Sequence, residues 1–221
     1  MPGIIKNQSL TIVMFLLFAF SLVGMVVAGQ RHYNADQRDH GQETASLGGY
    51  LQTGAFVEGL FENWESEFLQ MGLYVVLTAF LYQKGSAESK DPDKSEPVDA
   101  DPRAERAKPD APGPVKRGGF ALRLYENSLG IALLTLFLLS FALHVLGGAA
   151  AYNDAQRAHG GATVSALGYL ATSQLWFESF QNWQSEFLSI GALVVLSIFL
   201  RQRGSPESKP VAASHAETGA S

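Results

Sequence analysis

The sequence predicts an all-α integral membrane protein, a four-helix bundle built from two parallel repeats of a two-span unit with short outer interfacial helices. Long charge-free apolar stretches, a gapless internal repeat and a one-sided distribution of Lys and Arg carry that reading. Of the 221 residues, 47% are hydrophobic and only 17% charged, with a mean hydropathy of +0.05, apolar for a soluble chain of this length. Those averages hide a segregation. Residues 10–28 and 129–146 contain no Asp, Glu, Lys or Arg, whereas residues 84–123 hold nine of the sixteen basic side chains. The absence of cysteine excludes disulfides, thiolate metal sites and thiol catalysis. A net charge of −5, scattered along the chain, gives no argument for a nucleic-acid partner.

Laid against itself at an offset of 119 residues, the chain matches without gaps over 9–90 and 128–209. Tyr33, Asn34, Gln37, Arg38, His40 and Gly41 recur as Tyr152, Asn153, Gln156, Arg157, His159 and Gly160. The stretch 61–69, with Asn63, Trp64, Ser66 and Glu67, recurs at 180–188 with Asn182, Trp183, Ser185 and Glu186. Gly85, Ser86, Glu88, Ser89 and Lys90 recur as Gly204, Ser205, Glu207, Ser208 and Lys209. The organisation expected is a first repeat over 1–90, a tether over 91–125, a second repeat over 126–209 and a tail over 210–221.

Each copy opens with an apolar run, about 10–29 and 129–148, long enough at about 1.5 Å per residue to cross a hydrocarbon core of about 30 Å. Read alone, Lys6 followed by this run also resembles a cleavable signal peptide, but its counterpart lies mid-chain, which favours a retained anchor. The second run of each copy reaches spanning length, about 64–83 and 183–201, once extended back to Trp64 and Trp183, whose indoles are expected as interface anchors. Residues 47–61 and 167–180 mix aromatics with Gly, Glu and Gln and read as short helices in the outer interface, continuous or nearly so with the next span. The tether holds six of the nine prolines among alternating acids and bases and is expected to be disordered, as is the tail.

Only Arg31, Arg38 and Arg157 fall in the two within-copy loops; the other thirteen basic residues lie near the N-terminus, in the tether or near the C-terminus. The positive-inside rule then places both termini and the tether in the cytoplasm. Two spans per copy make the copies parallel, related by an approximate two-fold axis along the membrane normal.

Glu67 and Glu186 open the second and fourth spans, one turn after Asn63 and Asn182 on the same helix face. They are the candidates for a proton or cation site, against the plainer reading of a carboxylate favouring a helix N-terminus. Arg38, His40, Arg157 and His159 belong to the most polar repeated block. Two His-Gly pairs brought together by symmetry could hold a metal, but no carboxylate recurs with them at ligand spacing, so hydrogen-bonded helix ends are expected and no metal, cofactor or catalytic residue is assigned. Gly72 and Gly191 are expected to permit close helix approach. His144 has Met25 as its counterpart and is expected to satisfy a local hydrogen bond. The repeated Gly-Ser-x-Glu-Ser-Lys block has no evident chemistry; protein docking is one expectation for it.

These blocks, above all Asn-Trp-x-Ser-Glu-Phe-Leu and Gly-Ser-x-Glu-Ser-Lys in two copies, resemble a family of small bacterial membrane proteins of unknown function. The resemblance implies placement in the bacterial plasma membrane and no particular activity. No phosphate loop, nucleophile motif or metalloprotease motif occurs, so a non-enzymatic envelope-associated structural, interaction or stress-related role is expected. Its partners would be the lipid bilayer and a second copy or another membrane protein. The alternative is a small proton or cation channel or transporter using the outer Glu and Asn residues.

Overall fold

The computed structural model describes residues 6–219. Among them every regular element is helical. In chain order these are α1 Ser9–Asp39, α2 Leu47–Tyr50, α3 Gly54–Leu77, two 3-10 turns at Pro97–Asp99 and Pro102–Glu105, α4 Gly113–Arg117, α5 Gly119–Glu126, α6 Ser128–Ala158, α7 Ala166–Tyr169 and α8 Ser173–Phe199. Three of the long helices, α1, α6 and α8, are long and apolar enough to cross a membrane.

The helices run past their apolar windows. In α1 the charge-free stretch leads into the polar block and the helix stops at Asp39, two residues before Gly41, whose φ of +68° no L-residue adopts cheaply. The second copy ends the same way, with α6 closing at Ala158 before Gly160 at φ +70°. The expected second span, 64–83, differs from the structure at both ends. Its helix, α3, starts at Gly54, absorbs most of the segment expected to lie flat in the interface, and stops at Leu77. It also carries Glu58, Glu62, Glu65 and Glu67, which sets it apart from the three apolar helices. Just past the last turn the Thr78 hydroxyl donates to the carbonyls of Tyr74 (2.9 Å) and Val75 (3.2 Å), an early finish to the helix.

The chain divides into two compact units. The first comprises Met1–Phe61 and Ala142–Leu175. Its centre is built on paired glycines and tyrosines: a Cβ on Gly29 would overlap the Tyr50 ring, and one on Gly148 would sit 2.5 Å from the Tyr169 ring. Tyr50 and Tyr169 are 5% and 0% exposed, and each meets a second tyrosine, Tyr33 at 5.7 Å and Tyr152 at 5.8 Å between ring centroids. Here α3 and α6 also approach at glycine: a Cβ on Gly147 would lie 2.5 Å from the Glu58 nitrogen, and one on Gly54 would lie 2.7 Å from the Gly147 carbonyl. Both glycines permit backbone-to-backbone contact, the small-residue packing that membrane helices use where hydrophobic burial drives nothing.

The second unit comprises Glu62–Phe141 and Trp176–Ser221. Gly72 packs on Leu134, which a Cβ would meet at 3.0 Å. Gly191, expected to do the same, faces open space, with nothing within 4 Å of a Cβ. The 91–125 segment, expected to lack order, carries its short turns through local contacts: Asp99 and Glu96 close a reciprocal capping box, and Asp101 accepts from the Arg103 nitrogen.

Gly147→Ala should therefore lower the thermal unfolding midpoint in detergent, the overpacking costing about 1–3 kcal/mol, whereas Gly191→Ala should leave it unchanged or raise it slightly. Scanning calorimetry of the two variants beside the parent checks this.

Candidate functional site

In the first unit the repeated polar block works on the backbone. Asn34 Nδ2 donates to the Ala45 carbonyl (2.9 Å) while its Oδ1 accepts from the Ala45 nitrogen (2.7 Å). Asn153 does the same to Val164, at 2.8 Å in both directions. One carboxamide thus replaces the peptide partner that an irregular loop cannot supply. Ser46 and Ser165 then cap the one-turn helices α2 and α7, accepting from Gly49 (3.1 Å) and Gly168 (3.0 Å). Thr53 and Thr172 follow, each donating to the tyrosine carbonyl three residues back at 2.7 Å.

His40 and His159 come together, their rings 5.6 Å apart and edge-on at 75°. Both are exposed, as are Arg38 and Arg157. Arg157 pairs with Asp154 at 2.8 Å, one turn back on its own helix. Beside the imidazoles lies a cavity of about 530 Å³, walled by Tyr33, Asp36, Gln37 and Asp154 among others.

A second polar group in this unit is buried. His144 is 0% exposed, although it lies within an apolar helix. Glu58 and His144 offer ligand atoms within 4.8 Å of one another, and the Tyr169 hydroxyl donates to Glu58 Oε1 at 3.2 Å. The counterparts of Glu58 and His144 are Phe177 and Met25, so a search by repetition passes over both. An ionisable side chain inside an apolar run was the available signal.

In the second unit Asn63 and Glu67 are exposed, whereas Asn182 and Glu186 are half-buried. Gln70, one turn beyond Glu67, donates through Nε2 to the Glu186 carbonyl (2.9 Å) and to Ser189 Oγ (3.2 Å). This sets the α3 and α8 segments side by side at the level of the two glutamates. Trp64 and Trp183 are half-buried. Trp183 does not only face outward: its Nε1 donates to Glu65 Oε1 at 3.0 Å, and Glu65 is 0% exposed. A buried carboxylate requires such a donor, and Glu65 escaped sequence reasoning because Gln184 stands in its place in the second copy.

The Gly-Ser-x-Glu-Ser-Lys block also closes on itself, twice. Gly85 and Gly204 turn the chain at φ +89° and +88°. Ser86 Oγ accepts from the Glu88 nitrogen (3.1 Å) and Ser205 Oγ from the Glu207 nitrogen (3.2 Å). Ser89 and Ser208 reach back to the nitrogens of Gln83 and Gln202, both at 2.9 Å. The lysines then diverge. Lys90 pairs with Asp99 at 2.5 Å, a bond that raises the lysine pKa and lowers that of the carboxyl. Lys209 is 1% exposed, and its ammonium donates to the carbonyls of Gly85 (2.6 Å), Glu217 (2.8 Å), Ser214 (3.1 Å) and His215 (3.2 Å). Burial lowers the Lys209 pKa, Arg201 adds to that by repulsion, and Glu217 opposes it. Its four carbonyl bonds fasten the C-terminal segment to the first copy's loop.

An all-helical chain with three helices long and apolar enough to cross a membrane fits a membrane protein of unknown role. The chain belongs to the family described as a domain of unknown function (DUF6766), which matches residues 1–220. Searches of the curated proteins and of the solved structures gave no match.

Two outcomes follow from the local geometry. Asn34→Ala and Asn153→Ala should each destabilise by about 1–3 kcal/mol, since each leaves a loop N–H, of Ala45 or Val164, without its side-chain acceptor, and denaturant or thermal melts of the single and double variants measure it. Lys209→Met should release the C-terminal segment, so that limited proteolysis after residue 209 becomes several-fold faster while Lys90→Met leaves that rate unchanged.

Proposed function

We propose that this chain is a non-enzymatic polytopic protein of the bacterial plasma membrane, in which two parallel copies of a two-span unit form a four-helix bundle with an envelope-associated structural or interaction role. One observation carries the reading: the repeated polar side chains bind the protein's own backbone. Asn34 and Asn153 hold loops, Ser46 and Ser165 cap helices, and Ser86, Ser89, Ser205 and Ser208 close the turns after α3 and α8. Tyr33, Gln37, His40, Arg157 and His159 do border a cavity, but there Nδ1 of each histidine is turned to a backbone carbonyl and Arg157 to Asp154. The parallel arrangement is supported separately in each unit. The two within-copy loops meet through His40 and His159, and the two post-helix turns are joined through Gly85 and Lys209. The Lys and Arg distribution supports a cytoplasmic side for both termini and the tether.

A second reading, movement of a proton or small cation, draws on Glu58 and the buried His144, which lie together, His144 within an apolar helix, more than on the exposed Glu67. Proteoliposomes loaded with a pH-sensitive dye separate the two. The structural reading expects no flux above protein-free vesicles under a proton, Na⁺ or K⁺ gradient, for wild type and for Glu67→Gln/Glu186→Gln alike. Flux that Glu58→Gln abolishes would establish the second reading.

A further inference from the structure

We propose that His40 and His159 together form a binding site for a divalent transition-metal ion of the imidazole-preferring kind, Zn²⁺ or Cu²⁺, within the first unit. This reverses the expectation from sequence, which rested on the lack of a recurring carboxylate and could not see the two rings meet. Their geometry supports it first. A metal–nitrogen distance of about 2.0–2.1 Å plus the ring radius puts the centroids of two imidazoles on one tetrahedral ion about 5–6 Å apart. The observed separation is 5.6 Å, with the rings inclined at 75° rather than stacked.

Protonation supports it next. His40 Nδ1 lies 2.9 Å from the Asp36 carbonyl and His159 Nδ1 lies 2.8 Å from the Ala155 carbonyl. A carbonyl only accepts, so Nδ1 must carry the hydrogen in both rings. In the neutral imidazole the lone pair is then on Nε2, and the backbone bond fixes both tautomer and ring orientation, as the second-shell partner of a metal-bound histidine does. The same device occurs in both copies although Asp36 and Ala155 differ, because the partner is the main chain.

Electrostatics favour a cation at this place. Both histidines sit at helix C-termini, the negative ends of the backbone dipoles. Asp36 Oδ1 is 3.5 Å from His40 Nδ1 and Asp36 borders the adjoining cavity; Arg157 borders it too, but pairs with Asp154 at 2.8 Å, so Asp36 is the carboxylate left to favour a cation, and the cavity leaves room for the waters that complete a two-histidine coordination sphere. Affinity for such nitrogen ligands rises along the first-row series to Cu²⁺, and Mg²⁺ and Ca²⁺ prefer oxygen.

The test is calorimetric titration of the purified full chain in detergent at pH 7.5 with ZnCl₂ and, separately, MgCl₂. One Zn²⁺ per chain is expected, with no comparable Mg²⁺ binding. His40→Gln and His159→Gln should each weaken Zn²⁺ binding at least tenfold and the double variant should abolish it. His32→Gln, which alters an exposed histidine elsewhere on α1, should change it less than twofold. Both site histidines are exposed, so their variants should keep the parent's circular dichroism. With Cu²⁺, electron paramagnetic resonance should show coupling to two imidazole nitrogens that falls to one in either single variant. Wild type that takes up no Zn²⁺, or a double variant that binds it as wild type does, would overturn the site.

Discussion

A backbone N–H or C=O inside hydrocarbon has no water to turn to, and each one left without a partner costs several kcal/mol. That constraint explains why the chain is helical wherever it is apolar. It also explains what happens where the helices stop. Every break must be satisfied from within, and side chains supply the partners: Asn34 and Asn153 in the loops after α1 and α6, Thr78 past the end of α3, and Arg201 past the end of α8, whose Nη1 donates to the carbonyls of Ser197, Ile198 and Leu200. Of these, the asparagines recur at the 119-residue offset, whereas Ser197 and Tyr82 stand opposite Thr78 and Arg201, so the loops are ended alike in both copies and the later helix ends are not.

The same demand accounts for the glycines. Where α3 meets α6 through Gly54 and Gly147, the close approach puts main chain against main chain and dispersion contacts replace the hydrophobic burial that a soluble core would use. Gly29 and Gly148 have a different task, each giving up its Cβ to a tyrosine ring. Those tyrosines, Tyr50 and Tyr169, are the last residues of the serine-capped turns, so that loop closure and ring packing are set together in each copy.

Much of this was legible in the sequence, and the limits are physical. Three of the four expected spans fall in helices long and apolar enough to cross a membrane, legible because hydrocarbon thickness sets that length, and the polar blocks showed because they occur twice. Helix ends were less legible: Leu77 continues into Thr78 and further apolar residues, and the finish shows in bonds alone, with the Ala79 and Phe80 nitrogens turned to carbonyls three residues back (3.3 and 3.0 Å) and the Thr78 hydroxyl on Val75. Gly72 and Gly191 are equivalent in sequence yet only Gly72 is packed, since close approach depends on the facing residue, Leu134. Glu58 and Glu65 went unnoticed, and His144 was read as a local hydrogen-bonding group, because Phe177, Gln184 and Met25 stand at their repeat positions. Repetition finds what both copies need, and it is blind to a polar group that one copy alone buries. The serine-lysine block was visible as a pattern while its purpose was not, because its bonds run to main-chain atoms that a sequence does not distinguish.

On the proposed reading the two copies enter the bilayer in the same direction. Because the chain has no native cysteine, single cysteines can report the side of the membrane directly. In intact bacterial cells a membrane-impermeant maleimide should label Glu43→Cys and Thr163→Cys, and should label Lys94→Cys and Val211→Cys only after the cells are broken open. Labelling of Val211→Cys in intact cells, or of Glu43→Cys without Thr163→Cys, would contradict it.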